Sequence, residues 1–154
     1  MEFTWEALHE SGFVGFVRLS ESKAAEVPQG PGVYVVYRSS TVRPVFLPEN
    51  KAGLRDHTVP VEGLTGKWVE GAQVVYIGKA IRLRRRIGEY RRFGAGTADN
   101  HVGGCCVFQL ADHADVLIAW RVTAAGESPE DTEKELIGQF KAQYRSRPFA
   151  NHLG

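Results

Sequence analysis

Val74-Val75-Tyr76-Ile77-Gly78-Lys79-Ala80 sets an apolar, β-prone run directly against a glycine and the start of a cationic stretch. Val74 to Ile77 reads as a strand, and Gly78 as the residue that permits a sharp exit from it. A helix from about Ala80 to Phe93 is expected next, because Leu83, Ile87 and Tyr90 recur at i, i+4 and i+7 and define one buried stripe. Gly94 and Gly96 end it. Between Lys79 and Arg92 there are seven cations and one anion, Glu89, so the stretch sums to +6 in a chain whose net charge is +1. A local excess lacking acidic partners points to a polyanion rather than to general basicity. Arg86 borders the buried stripe, while Arg84, Arg85, Arg91 and Arg92 fall on solvated sides.

Upstream, Pro31-Gly32 reads as a turn and Val33 to Tyr37 as a strand. Its period of two puts Val33, Val35 and Tyr37 on one face, and Tyr34 and Val36 on the other. Forty-one residues separate Tyr34 from Tyr76. Within them, residues 38–73 are broken by proline and glycine into short pieces, with Val45-Phe46-Leu47 and Lys67-Trp68-Val69 as candidate short strands. Closure entropy grows slowly with loop length, so such an insertion is tolerable, and long loops often contact substrate or a partner. Residues 1–30 form an N-terminal extension whose Trp5, Leu8, Phe13, Phe16 and Val17 suit an apolar cover, a short helix and strand packed on the core.

Downstream, Asp99 to Gly104 reads as a loop in which His101, beside glycines, is placed to reach a phosphate or assist proton transfer. Cys105 to Leu110 and Val116 to Trp120 are expected strands, the second buried on both faces. Ser128-Pro129-Glu130-Asp131 is a helix start: serine as N-cap, proline at N1, acids in the first turn. The helix presents Leu136, Ile137, Phe140 and Tyr144 as its stripe, and Glu133 lies on that stripe. A carboxylate aimed at a core is costly unless paired or metal-bound. Two readings follow: Glu133 as a metal ligand, or Glu133 at the rim paired with an arginine such as Arg86. Arg147-Pro148-Phe149-Ala150-Asn151 is an extended tail.

The 154 residues suit one domain, and the 43% hydrophobic and 24% charged composition is that of a folded soluble chain. No apolar run is long enough for a bilayer, and Met1 to Glu6 lacks the pattern of a secretory signal. Cys105 and Cys106 read as reduced core residues of a cytoplasmic protein, and no Cys/His set has zinc spacing.

Gly32-Val33-Tyr34, then Tyr76-Ile77-Gly78-Lys79-Ala80 with Arg86, then Glu133-Lys134-Glu135-Leu136-Ile137, then Pro148-Phe149-Ala150-Asn151 follow one another as the motifs of the GIY-YIG nucleases do. The chain resembles that superfamily from Gly32 to Asn151, with valine for isoleucine in the first motif. The family usually joins its two tyrosine motifs by a tight hairpin, so the insertion is a departure. The resemblance implies Tyr34 as general base, Tyr76 as its partner, Arg86 as phosphate stabiliser and Glu133 as the ligand of Mg²⁺ or Mn²⁺. It implies Lys79 as a phosphate contact, Asn151 as a positioning residue, and structural roles for Gly32 and Gly78. Arg82, Arg85 and His101 join Lys79 as expected nucleic-acid contacts.

Physical chemistry bears on these roles. A tyrosine with its usual pKa near 10 is a poor base unless nearby cations favour the phenolate, and the +6 stretch is expected to do that. An arginine at the scissile phosphate stabilises the developing charge, and a carboxylate suits Mg²⁺. The expected fold is therefore a single α/β domain of the α+β type: a small, mainly antiparallel sheet of about three strands flanked by helices. The expected function is metal-dependent endonucleolytic cleavage of DNA, with RNA also compatible, no membrane partner and no small-molecule cofactor. The alternative is a non-catalytic nucleic-acid-binding module on the same scaffold.

Overall fold

The computed structural model of the chain describes residues 1–151. Helix α1 (Trp5–Glu10) and strand β1 (Val14–Arg18) lead into β2 (Gly32–Tyr37), which is followed by α2 (Val61–Lys67), β3 (Val74–Ala80) and α3 (Leu83–Gly94). Strand β4 (Leu117–Val122) and helix α4 (Pro129–Tyr144) complete the domain. The four strands form one antiparallel sheet in the order β1-β4-β2-β3, with helices on both faces. The fold is thus α+β, with one strand more than the sequence reading expects.

The near-continuous apolar content of β2 fits its central position between β4 and β3, where all six residues are buried. The alternation sorts its side chains as expected. Tyr34 and Val36 join Ile87, Tyr90 and Phe93 of α3 in one core layer. Val33, Val35 and Tyr37 join Leu136 and Phe140 of α4 in the other. Burying each such large apolar side chain stabilises the fold by about 1.5–3 kcal/mol. At the start of α4, the Ser128 side chain accepts from the Asp131 amide at 3.2 Å, with Pro129 in the first turn, as the capping pattern predicts.

Three elements differ from the sequence reading. Cys105 to Leu110 is not a strand: Val102–Gln109 is a run of 3-10 turns kinked at Gly104. That apolar run is buried throughout and carries no alternation, so its period did not distinguish strand from helix. The edge place is taken instead by β1, whose ladder with β4 slips between Gly15 and Val17. There Gly15 has φ +103°, and a Cβ on it would lie 2.6 Å from the Trp120 ring. In the insertion, Lys67-Trp68-Val69 does not form a strand, and Val45-Phe46-Leu47 contributes only a bridge from Phe46 to Leu110.

The insertion is nonetheless fastened to the core by buried polar groups. The Asn50 amide donates to the Cys105 carbonyl at 2.8 Å. Gln109 donates to the Leu47 and Val59 carbonyls and accepts from the Val59 amide. Arg38, nearly buried, pairs with Asp112 at 2.8 Å. Both cysteines are buried and unbridged. Among the described residues no helix is long and apolar enough to cross a membrane.

Gly78 also differs from its expected role. Strand β3 does not leave the sheet there but continues to Ala80. Tyr34 is its cross-strand neighbour, and a Cβ on Gly78 would lie 2.4 Å from Tyr34 Cζ and 2.7 Å from its hydroxyl oxygen. The glycine therefore makes room for the tyrosine ring rather than a turn. Gly78→Ala must push a fully buried ring out of place, and urea unfolding is expected to show a loss of about 1–3 kcal/mol with an unchanged m-value.

Candidate active site

The face of β2 and β3 that carries Tyr34 and Tyr76 is closed by α3 and by the turn leading into the 3-10 segment. Tyr34 points into an aromatic box made with Tyr76, Tyr90 and His101. The His101 ring stacks on Tyr90 at 3.6 Å with planes only 8° apart. Two glycines let this turn approach so closely. A Cβ on Gly104 would lie 2.5 Å from the Tyr90 hydroxyl, which donates to the Gly104 carbonyl at 2.8 Å. A Cβ on Gly103 would lie 3.3 Å from the Tyr76 hydroxyl.

The Tyr34 hydroxyl and His101 Nε2 are 2.6 Å apart. That is a distance typical of hydroxyl donors and short for a ring N–H donor. We therefore assign Tyr34 as donor, Nε2 as acceptor and the ring proton to Nδ1. Among the described residues the buried Nδ1 has no hydrogen-bond partner. His101 is thus not the surface phosphate contact expected from the sequence: it is fully buried. Burial, assisted by the positive charge of Arg86, pushes its pKa down to about 3.

The tyrosines also depart from expectation. Burial raises Tyr34 well above 10, and Tyr76 is pushed up to about 12 by burial and by the Glu133 carboxylate. Arg86 pulls both the other way, but desolvation is the larger effect. The cationic stretch does not produce a phenolate; both hydroxyls remain protonated at neutral pH.

Around the box stand the charged residues. Arg86 donates to the Asn100 carbonyl at 2.8 Å and to Glu89 at 3.3 Å. Glu133 is mostly shielded, with 19% of its side chain exposed, and burial raises its pKa above the ordinary glutamate value. Its nearest cation is Lys79, at 4.0 Å, rather than Arg86, and Lys79 also approaches Glu130 at 3.9 Å. Among the described residues, no three His, Cys, Asp or Glu side chains gather into a metal cage. The donor set fits a hard cation held by the single carboxylate of Glu133 and otherwise hydrated, as Mg²⁺ accepts. Lys79 is the group such an ion would displace.

Helix α3 does not present a bare cationic face. Arg84 donates to the Val27 carbonyl, Arg91 to the Ser22 carbonyl, and Arg92 pairs with Asp99. Lys79, Arg82, Arg85 and Arg86 line one groove of about 490 Å³ with Ile81 and Glu89, where Arg85 and Arg86 share Glu89 as a counterion. Among the described residues the Arg82 side chain has no partner. Asn151 lies apart from the chemistry. Its side chain accepts from the Ile77 amide at 3.0 Å and donates to the Ile77 carbonyl at 2.9 Å. In this way it extends the outer edge of β3 as a strand would. Gly32 is equally structural, since a Cβ there would lie 2.3 Å from the Arg121 carbonyl oxygen.

The structure thus gathers Tyr34, Tyr76, Arg86, Glu133, Lys79 and His101 at one end of β2 and β3. Sequence reasoning missed Tyr90 as the platform beneath His101, and Gly103-Gly104 as the means of approach. The pair of glycines directly after His-Val was the available signal. No family model, curated protein or solved structure matches the chain.

A neutral buried histidine has a consequence for stability. Its folded pKa lies below the unfolded value near 6.5, so its contribution is complete above that pH. As pH falls below about 6.5 the unfolded chain takes up a proton that the folded chain refuses, at a cost of up to about 1.4 kcal/mol per pH unit. The stability of wild type is expected to fall more steeply than that of His101→Gln between pH 6.5 and 5, measured by urea unfolding at each pH.

Proposed function

We propose that the protein is a divalent-metal-dependent endonuclease of the GIY-YIG type, hydrolysing phosphodiester bonds in DNA. The observation that carries this reading is the hydrogen bond from Tyr34 to a neutral His101 beside Arg86, with Glu133 across Tyr76. Support also comes from the groove of Lys79, Arg82, Arg85 and Arg86, which suits a phosphate backbone.

Each residue has a chemical task in this reading. Arg86 receives the scissile phosphate and stabilises the charge that develops on its oxygens. Lys79, Arg82 and Arg85 hold the neighbouring backbone. The Tyr34 hydroxyl is closed to solvent in the free protein, so substrate binding must admit the attacking water, which gives Tyr34 a proton as the Tyr34 proton passes to His101 Nε2. The new P–O bond forms as the bond to the leaving oxygen breaks, and that oxygen is protonated from solvent. Glu133 would hold Mg²⁺ or Mn²⁺, which when bound supplies charge neutralisation at the phosphate.

The substrate itself makes the relay workable. Arg86 is the charge that helps burial to depress His101. A phosphodiester docked on the guanidinium offsets that charge and adds a negative one nearby, so His101 becomes a better proton acceptor when substrate is present. The base is therefore weak in the empty protein and strengthened by binding.

A binding module is the second reading, favoured by the burial that raises both tyrosine hydroxyls above their ordinary pKa and makes each a poorer base. Supercoiled plasmid incubated with Mg²⁺, Mn²⁺ or chelator separates the two. Metal-dependent nicking or linearisation is expected from wild type and a loss of at least about 100-fold from Glu133→Ala, with DNA binding retained. Equal cutting by the variant would remove Glu133 from the mechanism. Salt-steep binding without cutting by any form would leave the binding module.

A further inference from the structure

The insertion builds a second pocket, linked to Arg86 through Asn100. It has a volume of about 450 Å³ and opens between the turn at Gly53–His57 and the segment joining α3 to the 3-10 turns. The buried Phe93 ring lies at its floor, with the His57 ring 5.3 Å away. Leu54, 74% exposed, enters from the insertion, and Val102, 47% exposed, from the opposite segment. Arg55 also lines it, and among the described residues its guanidinium has no partner.

The turn that forms this wall is fixed rather than loose. The Gly53 amide donates to the Phe93 carbonyl at 2.8 Å. Gly53 has φ +66°, and a Cβ on it would lie 2.7 Å from the Phe93 ring. Only glycine fits this close approach, and it holds Leu54 and Arg55 outward. The one carboxylate in the lining, Asp99, is already held by Arg92, so two aliphatic side chains left in water beside the unpaired Arg55 are the features of an unfilled site for a flat, partly apolar, anionic group.

Position indicates what that group is. Asn100 and Val102, both lining the pocket, flank His101, and the Asn100 carbonyl receives Arg86. The 100–102 segment thus joins the pocket to Arg86, which suits a nucleotide adjoining the scissile phosphate. A base stacked within a duplex does not enter a pocket of this kind, so the base must be unpaired or extruded. We propose that the insertion forms a nucleobase subsite in which Leu54 and Val102 sandwich an unpaired base beside the scissile phosphate and Arg55 holds the adjoining phosphate. This rests on the nuclease reading and extends it to substrate class: nucleic acid with unpaired nucleotides at the cut.

The test is binding in chelator, so that cleavage plays no part, by fluorescence anisotropy of a labelled mixed-sequence DNA strand, alone or annealed to its complement. Full-length wild type is expected to bind the single strand more tightly than the duplex. Leu54→Ser and Arg55→Ala, both at exposed positions, are expected to weaken single-strand binding roughly tenfold and leave duplex binding nearly unchanged. Arg82→Ala should weaken both probes alike. Single-strand preference retained in both insertion variants, or absent from wild type that binds both probes, would overturn the subsite while leaving the groove. Failure of wild type to bind either probe would overturn the subsite together with the nuclease reading.

Discussion

The hydrogen bond between Tyr34 and His101 joins two residues 67 positions apart, and much of the local architecture exists to make it. Tyr34 reaches the histidine only because β3 has no side chain at Gly78. His101 reaches Tyr34 only because Gly103 and Gly104 bring their turn against Tyr76 and Tyr90. The arrangement leaves the ring nitrogen Nδ1 buried without a partner among the described residues, which costs about 1–3 kcal/mol. Stacking on Tyr90 offsets part of that. A fold selected for stability alone has easier solutions, such as an aromatic residue at position 101. Retaining an unsatisfied imidazole beside a tyrosine hydroxyl fits a site in which proton transfer matters.

Charge and burial compete throughout this site, and magnitude decides between them. The excess of cations from Lys79 to Arg92 is large, but α3 spends much of it on the chain itself, through Arg84, Arg91 and Arg92. Those that remain face a groove open to water, where screening weakens their reach. Tyr34 and Tyr76 are enclosed, so desolvation outweighs even Arg86, and both stay protonated. Lys79 is the exception that links the two regimes. It lies against the shielded Glu133 carboxylate at 4.0 Å while lining the open groove.

The regular elements were legible in the sequence wherever one period ruled. The alternation of β2 and the helical stripes of α3 and α4 each assigned their faces correctly. Cys105 to Leu110 was misread because complete burial erases the period on which such a reading depends. Strand β1 was legible only as a vague apolar segment, since the bulge at Gly15 and Phe16 interrupts its alternation. Tyr34, Tyr76 and Glu133 stand out together in the sequence through a resemblance, and the structure brings the two tyrosine rings to 6.1 Å with Glu133 in electrostatic range of Tyr76. The state of His101 was not, because its burial is created by Tyr90 and by two glycines whose effect is tertiary. The expectation of a phenolate failed for a similar reason: sequence shows net charge along the chain but not the dielectric around each group.

The site turns on a neutral His101 that accepts a hydrogen bond at Nε2 from Tyr34. Long-range proton–nitrogen NMR of the imidazole, followed from pH 7.5 downward, tests it directly. The account predicts a protonated Nδ1, an unprotonated Nε2, and no titration of this ring until pH is well below 5. It also predicts that Tyr34→Phe shifts the Nε2 resonance, which reports the lost donor. A ring titrating near 6.5, or one protonated on Nε2, would contradict the assignment of His101 as acceptor and the relay built on it.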